Sequence, residues 1–388
     1  MEQGLPALVP YLKADLGLSS AGAGVFGVSV NAGRAASGTL AGAVVERFGS
    51  RSTLLAGCLA SGAVGLAAAL VPFSWLTLVL LVVGGVTQSA AIVAGITGVG
   101  GWFTDSSRGV ALGVRQAAVS VGGMLAAASL PVIAITWGWR PALAAAGAIT
   151  IVVGCAGALL YREQEPGPRG RGSSGLALGA SVREVLGERA IRRTLGVAMT
   201  LSASQYVVLA YLQLYFIEEL GTSLRAAAGA LVATQAAGVV GRLGWGALSD
   251  VAFSGRRTGV LSAMLVLGSA SAAGTALVQP GYALSIGIPL AVALGLTTVG
   301  SPGMYVALLA DVAPAGRAAA TMGTGVTFII GAAVVVPPVF GALVDAGDSF
   351  RAAWLALAAL LLVNVPLMRS IGRLSDPPAR GARSDELG

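Results

Sequence analysis

Histidine is absent from this chain of 388 residues. Its absence removes the commonest general base, pH switch and metal ligand together. Cysteine is nearly absent: Cys58 and Cys155 both fall inside apolar runs, so neither a disulfide framework nor a metal cluster is expected. Charge is scarce. Only 11% of the residues are Asp, Glu, Lys or Arg, against roughly a quarter in a soluble domain. The period-two alternation of a membrane β-barrel is missing, and no cleavable signal peptide is read at the start. The stretch Gly95-x-x-Gly98-x-Gly100 lies inside an apolar run with no strand before it, so it is not a dinucleotide loop. Without His, clustered acids or a Cys pair, enzyme chemistry has no candidate residues. No cofactor and no metal are expected.

What is present is apolar length. Hydrophobic residues make up 55% of the chain. They come in runs of about twenty, enough to cross a ~30 Å hydrocarbon layer as helix. Lipid offers no hydrogen bonds to the backbone, so such runs must be helical. A short apolar piece, 4–12, is interrupted by Pro6 and Pro10. Spans are then expected at 21–45, 52–73, 75–103, 109–135 and 141–161. After a polar segment, 162–193, further spans are expected at 194–217, 226–249, 258–277, 282–309, 318–344 and 352–368. The 57 glycines fall in faces such as Gly33, Gly38, Gly42 and Gly238, Gly241, Gly244, Gly246. Small residues let helices approach closely in lipid, and packing is the plain reading of these faces.

The basic residues set the orientation. One side collects Arg47, Arg51, Arg108, nine others through Arg256 and Arg257, then Arg317, Arg369, Arg373, Arg380 and Arg383; the other keeps Lys13, Arg140, Arg225 and Arg351. Seventeen against four places the first side in the cytoplasm, with both termini, in a multi-pass protein of the inner or plasma membrane. The net charge of +7 follows membrane sidedness, so no nucleic-acid partner is expected.

The two halves share landmarks. Gly42–Arg51 (GAVVERFGSR) follows the second span and Gly246–Arg257 (GALSDVAFSGRR) the eighth. Arg108 and Arg317 precede the fifth and eleventh spans, and Arg140 and Arg351 the sixth and twelfth. A duplicated six-helix unit explains this order. The expected domains are 1–161, a linker 162–193, 194–370, and a tail 371–388. On these residues the chain resembles the major facilitator superfamily, over nearly its whole length. The superfamily's loop signature, Gly-x-x-x-Asp-Arg-x-Gly-x-Arg, is matched by Gly42, Glu46, Arg47, Gly49 and Arg51, with Glu46 in place of Asp. The second copy is matched by Gly246, Asp250, Gly255, Arg256 and Arg257, with extra residues before Gly255. The resemblance implies an all-α membrane fold of two pseudo-symmetric six-helix bundles. It also implies a conformational latch at these loops, in which a carboxylate at a helix end meets arginines in one bundle arrangement only.

By the same resemblance, the Pro-containing piece 4–12 is the outer half of the first helix, and 16–20 begins an outside loop. The favoured reading is a first helix truncated at its N-terminus; a short re-entrant segment is the alternative. In a completed helix, Glu2 becomes a candidate proton-coupling carboxylate in the bundle interior.

Three arginines lie inside spans: Arg34, Arg115 and Arg242. Charge within a span is costly and marks a functional candidate, and guanidinium holds a carboxylate in a two-pronged fork. Arg34 has Asn31 one turn before it and Ser37 one turn after. Arg115 stands beside Gln116, with snorkelling toward Asp105 as the competing explanation. Arg242 stands four residues before Gly246, where the monocarboxylate-carrying branch of the superfamily has its substrate arginine. That branch has Asp four residues earlier still; here the residue is Gly238. Polar stripes at helical spacing add Gln88 beside Thr87; Ser202, Gln205, Tyr206 and Gln213; and Thr298, Ser301 and Tyr305 before and after Pro302. The resemblance places these helices around a central cavity, while helix-contact glue is the competing explanation. The drug-antiporter motif of the fifth helix, ending Gly-Pro-x-x-Gly-Gly, is not present.

The sequence therefore reads as a monomeric secondary transporter in the lipid bilayer. Its expected substrate is a small organic anion such as a monocarboxylate, moved by alternating access, with a proton or another ion as candidate coupling partner. Efflux of an amphipathic metabolite or drug is the alternative. A membrane enzyme or a non-transporting sensor has less to rest on.

Overall fold

The computed structural model describes residues 4–102, 105–161, 183–252, 257–314 and 318–375. All regular structure among the described residues is helical. In chain order the helices are α1 (Leu5–Leu16), α2 (Ser20–Phe48), α3 (Ser50–Leu70), α4 (Ser74–Trp102), α5 (Asp105–Trp137) and α6 (Trp139–Leu160). They continue with α7 (Arg189–Glu218), α8 (Leu224–Ala252), α9 (Arg257–Thr275), the composite α10 (Pro280–Asp311), α11 (Ala318–Gly347), α12 (Phe350–Val363) and α13 (Val365–Ser375). Ten of the described helical stretches are long and apolar enough to cross a membrane.

Helix ends follow local chemistry, with three departures from expectation. First, α1 runs a turn past Leu12. Pro6 sits in the first turn, where its missing N–H has no partner to lose, and Pro10 is carried inside the helix. The stop is Gly17, whose left-handed φ of 59° suits a residue without a side chain. Second, α7 starts at Arg189, not at 194, because Ile191 and Leu195 are buried with Val185 and Leu309. Third, the last apolar run is broken at Asn364. Its Nδ2 donates to Thr200 Oγ1 at 3.0 Å and to the Leu360 carbonyl at 2.8 Å, and Pro366 follows in the first turn of the short helix α13.

The most irregular span is α10. It opens with a 3-10 turn, then carries π turns at Ala283–Gly287 and Gly295–Val299 around the regular stretch Ile288–Leu294. Such widened turns gather at functional sites. Pro302 restarts the helix without an N–H of its own, and the Ser301 hydroxyl donates to the Thr298 carbonyl at 2.7 Å in its place.

The halves repeat each other in packing detail. In the first half α2 crosses α4 so closely that a β-carbon on Gly33 would collide with the Val82 carbonyl, and one on Gly85 with that of Val30. In the second half α8 crosses α10 the same way: Gly241 meets the Leu296 carbonyl and Gly295 that of Thr234. The acid ending the first helix of each half binds the start of the sixth. Asp15 Oδ2 accepts from Trp139 Nε1 at 2.7 Å and Arg140 Nη1 at 3.4 Å. Glu219 accepts from Ser349 Oγ at 3.1 Å and the Phe350 amide at 3.2 Å. Between the halves, α2 packs on α11, α5 on α8 and α1 on α7. Ala7, Ala127, Leu209, Leu231 and Val299 form a small apolar cluster that draws on both halves.

Candidate functional site

The middle of the molecule holds the in-span arginines. Arg34 on α2 donates through Nη1 to Asn31 Oδ1 at 3.0 Å. Asn31 is 2% exposed, and the same oxygen accepts from Tyr206 on α7 at 3.5 Å. One buried amide thus joins a cation of the first half to a phenol of the second. Three residues apart on one helix, Asn31 and Arg34 were legible as a pair; the Tyr206 contact was not.

Arg115 on α5 reaches across to α4. It donates to the Ile92 carbonyl at 3.2 Å, and its guanidinium lies over Gly95, where no side chain intervenes. The arginine therefore binds a neighbouring helix in the span; the side chain of Asp105, the alternative partner, lies outside the described residues.

Arg242 on α8 donates through Nε to the Val299 carbonyl at 3.1 Å, at the end of the second π turn of α10. Near it Tyr305 of α10 and Ser202 of α7 are both buried, 5% and 3% exposed. Arg242, Tyr305 and Ser202 bring α8, α10 and α7 to one place. Asn31, Ile92 and Val299 each give one of the three arginines a neutral oxygen acceptor.

The remaining expected contacts divide. Gln205 is buried on α7, and the Oε1 atoms of Gln88 and Gln213 are buried without a hydrogen-bond partner among the described residues. Ser301, Thr298 and Thr87 turn their hydroxyls back onto carbonyls of their own helices. The Gln116 side chain and all of Glu2 lie outside the described residues.

At the arginine-rich end, Gly49 separates α2 from α3 with a φ of 79°, which explains a glycine in that loop signature. Arg47 lies over the ring of Phe48, its Cζ 5.4 Å from the centroid. Arg51 Nε donates to the Ala158 carbonyl at the end of α6, at 2.9 Å. Arg257, opening α9, pairs with Asp311 at the end of α10 and donates to the Ala307 carbonyl at 3.2 Å. Asp311 was not foreseen; it is distant in sequence from both loop copies. Gly246 faces open space. The surroundings of Gly42, the side chains of Glu46 and Asp250, and the whole of Arg256 lie outside the described residues. These contacts of Arg51 and Arg257 stay within one half.

At the opposite end, contacts cross between halves. Lys13 Nζ on α1 pairs with Glu218 on α7 at 2.7 Å and donates to Ser20 Oγ at 3.1 Å. Asp345 on α11 accepts the first amides of α2, Ser20 at 2.7 Å and Ala21 at 2.8 Å. The fully buried Tyr211 of α7 donates to the Ser20 carbonyl at 2.8 Å. Gly24 and Gly341 leave room for that phenol, since a β-carbon on either would overlap it.

Comparison with known proteins gives one family and one fold. The sequence profile of the Major Facilitator Superfamily matches residues 2–329. No curated protein matches the chain. Among solved structures, a bacterial homolog of the human lysosomal transporter Spinster, in an inward-facing conformation, superposes with a TM-score of 0.79 at 15% identity, covering 97% of this chain and 95% of that one. The D-xylose-proton symporter gives 0.74 at 19% identity, with 95% and 94% covered. The E. coli fucose:proton symporter gives 0.62 at 18% identity, with 95% and 96% covered.

Proposed function

Because this chain belongs to the major facilitator superfamily, we propose that it is a secondary transporter of a small organic anion, such as a monocarboxylate, working by alternating access in the plasma membrane. The observation that carries the anion is the set of guanidiniums on α2, α5 and α8, each held in a span by a neutral oxygen. Positive charge kept at that depth attracts an anion, and the low dielectric strengthens the attraction. Arg34 supplies the fork from the first half, with Asn31 fixing its rotamer. Tyr206, Tyr305 and Ser202 offer hydroxyls from the second. A ligand touching both sides is gripped differently as the halves tilt, which is what alternating access needs.

The end bearing Arg47, Arg51 and Arg257 is cytoplasmic in this reading, by the excess of basic residues there. Both termini lie on that side, 162–193 links the halves, and the working unit is a monomer. The signature loops act as a latch at that end: their carboxylates, Glu46 and Asp250, meet arginines in one bundle arrangement only, while Arg51 and Arg257 hold helix ends inside their own halves throughout. A proton or another ion couples transport to a gradient, with Glu2 the candidate carboxylate.

The test is uptake and counterflow in proteoliposomes against a panel of small anions. Arg34→Gln is expected to lower kcat/KM for the transported anion by about tenfold or more, since it removes a charge-assisted, two-pronged contact. Arg242→Gln is expected to act in the same direction. Flux that follows substrate lipophilicity and ignores both changes would instead identify an exporter of amphipathic compounds.

A further inference from the structure

We propose that Asp345 is a helix cap supplied by the opposite half, and that it works with Lys13 and Glu218 as a releasable bolt closing the end of the molecule away from the signature loops. The first amides of any helix lack partners within it, and a carboxylate there satisfies them and meets the positive end of the helix dipole. α2 has such a carboxylate, but from α11, 325 residues away in sequence. It also has a cap of its own: Ser19 Oγ accepts from the Gly22 amide at 3.1 Å. When the halves part, α2 keeps Ser19 and loses Asp345. The helix survives the movement, and the difference in capping is felt only as a preference for the closed end.

The network converges on Ser20. Its amide is held by Asp345, its hydroxyl by Lys13, and its carbonyl by Tyr211. Those three come from α11, α1 and α7, so two of the three tie α2 to the other half. Lys13 closes the circuit by pairing with Glu218. The charged partners are partly open to water; the side chain of Glu218 is 36% exposed. Each contact is therefore weak alone, as a releasable bolt requires: strong bonds at this end would hold the transporter in one state.

This inference rests on the alternating-access reading, but its test needs no substrate. Spin labels are placed at Trp137→Cys and Arg225→Cys, at the ends of α5 and α8 that meet across the halves, in a Cys58→Ala/Cys155→Ala background. Label distances are then measured with and without Asp345→Asn. The expected result is a growth of the longer-distance population relative to the shorter by roughly fivefold, the scale of losing the carboxylate charge at a helix start and one of its two acceptor oxygens. Glu218→Gln should shift it the same way by less, and Lys13→Glu with Glu218→Lys should restore it. If Asp345→Asn lowers thermal stability but leaves the distances unchanged, the residue only caps a helix and the proposal fails. Failure of the charge exchange to restore the distances removes Lys13 and Glu218 from the bolt. The anion reading is judged separately, by flux through Arg34→Gln.

Discussion

Among the described residues, the two ends of the molecule are held by opposite means. At the Lys13 end, polar groups of one half bind the other: Lys13 with Glu218, Asp345 with the start of α2, Tyr211 with Ser20. At the arginine-rich end, Arg51 and Arg257 bind carbonyls and a carboxylate of their own halves. Tilting the halves would break the first set and leave the second intact. Stability and conformational balance are thus separable by position, and substitutions at the two ends should report on different quantities.

The largest expected effect comes from the closest approach at the Lys13 end. Gly24→Val would drive a side chain into Tyr211, the Pro337 carbonyl and Pro338. Overpacking of this kind costs roughly 3 kcal/mol, and here separating the halves relieves it. The labelled distance should therefore lengthen almost completely while the protein stays folded. Unfolding instead would mean that this end cannot open. Next comes Tyr211→Phe, which removes one buried hydrogen bond between halves, worth about 1 kcal/mol. It should lengthen the distance distribution and lower the melting temperature slightly. Arg257→Gln breaks a contact within one half, so it should lower the melting temperature by a degree or so, as expected for an exposed pair of ~0.5 kcal/mol, without moving the labels. The smallest effect is expected from Gly244→Ala. A methyl there meets nothing within 4 Å, so the labels should not move, and the melting temperature should hold or rise slightly because alanine is the better helix former. Label movement in Arg257→Gln matching that in Tyr211→Phe would erase the contrast between the ends.

A second contrast concerns legibility. The α2–α4 and α8–α10 crossings could be suspected from glycine faces, because backbone contact in lipid demands small residues at helical spacing. Arg34, Arg115 and Arg242 stood out because charge is rare in spans. Their partners did not: Ile92 and Val299 offer backbone carbonyls, which every residue has, so no residue type signals them. Tyr206 was visible as part of a stripe, yet its meeting with Asn31 depends on how α7 rotates against α2. Ser301 and Thr298 show the same limit, since both donate to carbonyls of their own helix. A hydroxyl on a helix can face a cavity or bind back to its own carbonyls, and the sequence spacing is identical.

By itself the sequence determined the class of the molecule, its spans and its duplicated order, because hydrocarbon leaves the backbone only one way to satisfy itself over runs of that length. It also fixed which loops carry glycine and which side gathers arginine. The tertiary structure alone decided that Asp345 caps a helix 325 residues away, that Asp311 meets Arg257, and that one amide, Asn31, joins the halves. Those pairings depend on helix rotation and register across an interface. Side-chain periodicity defines the face of one helix but carries no information about which face of another it will meet.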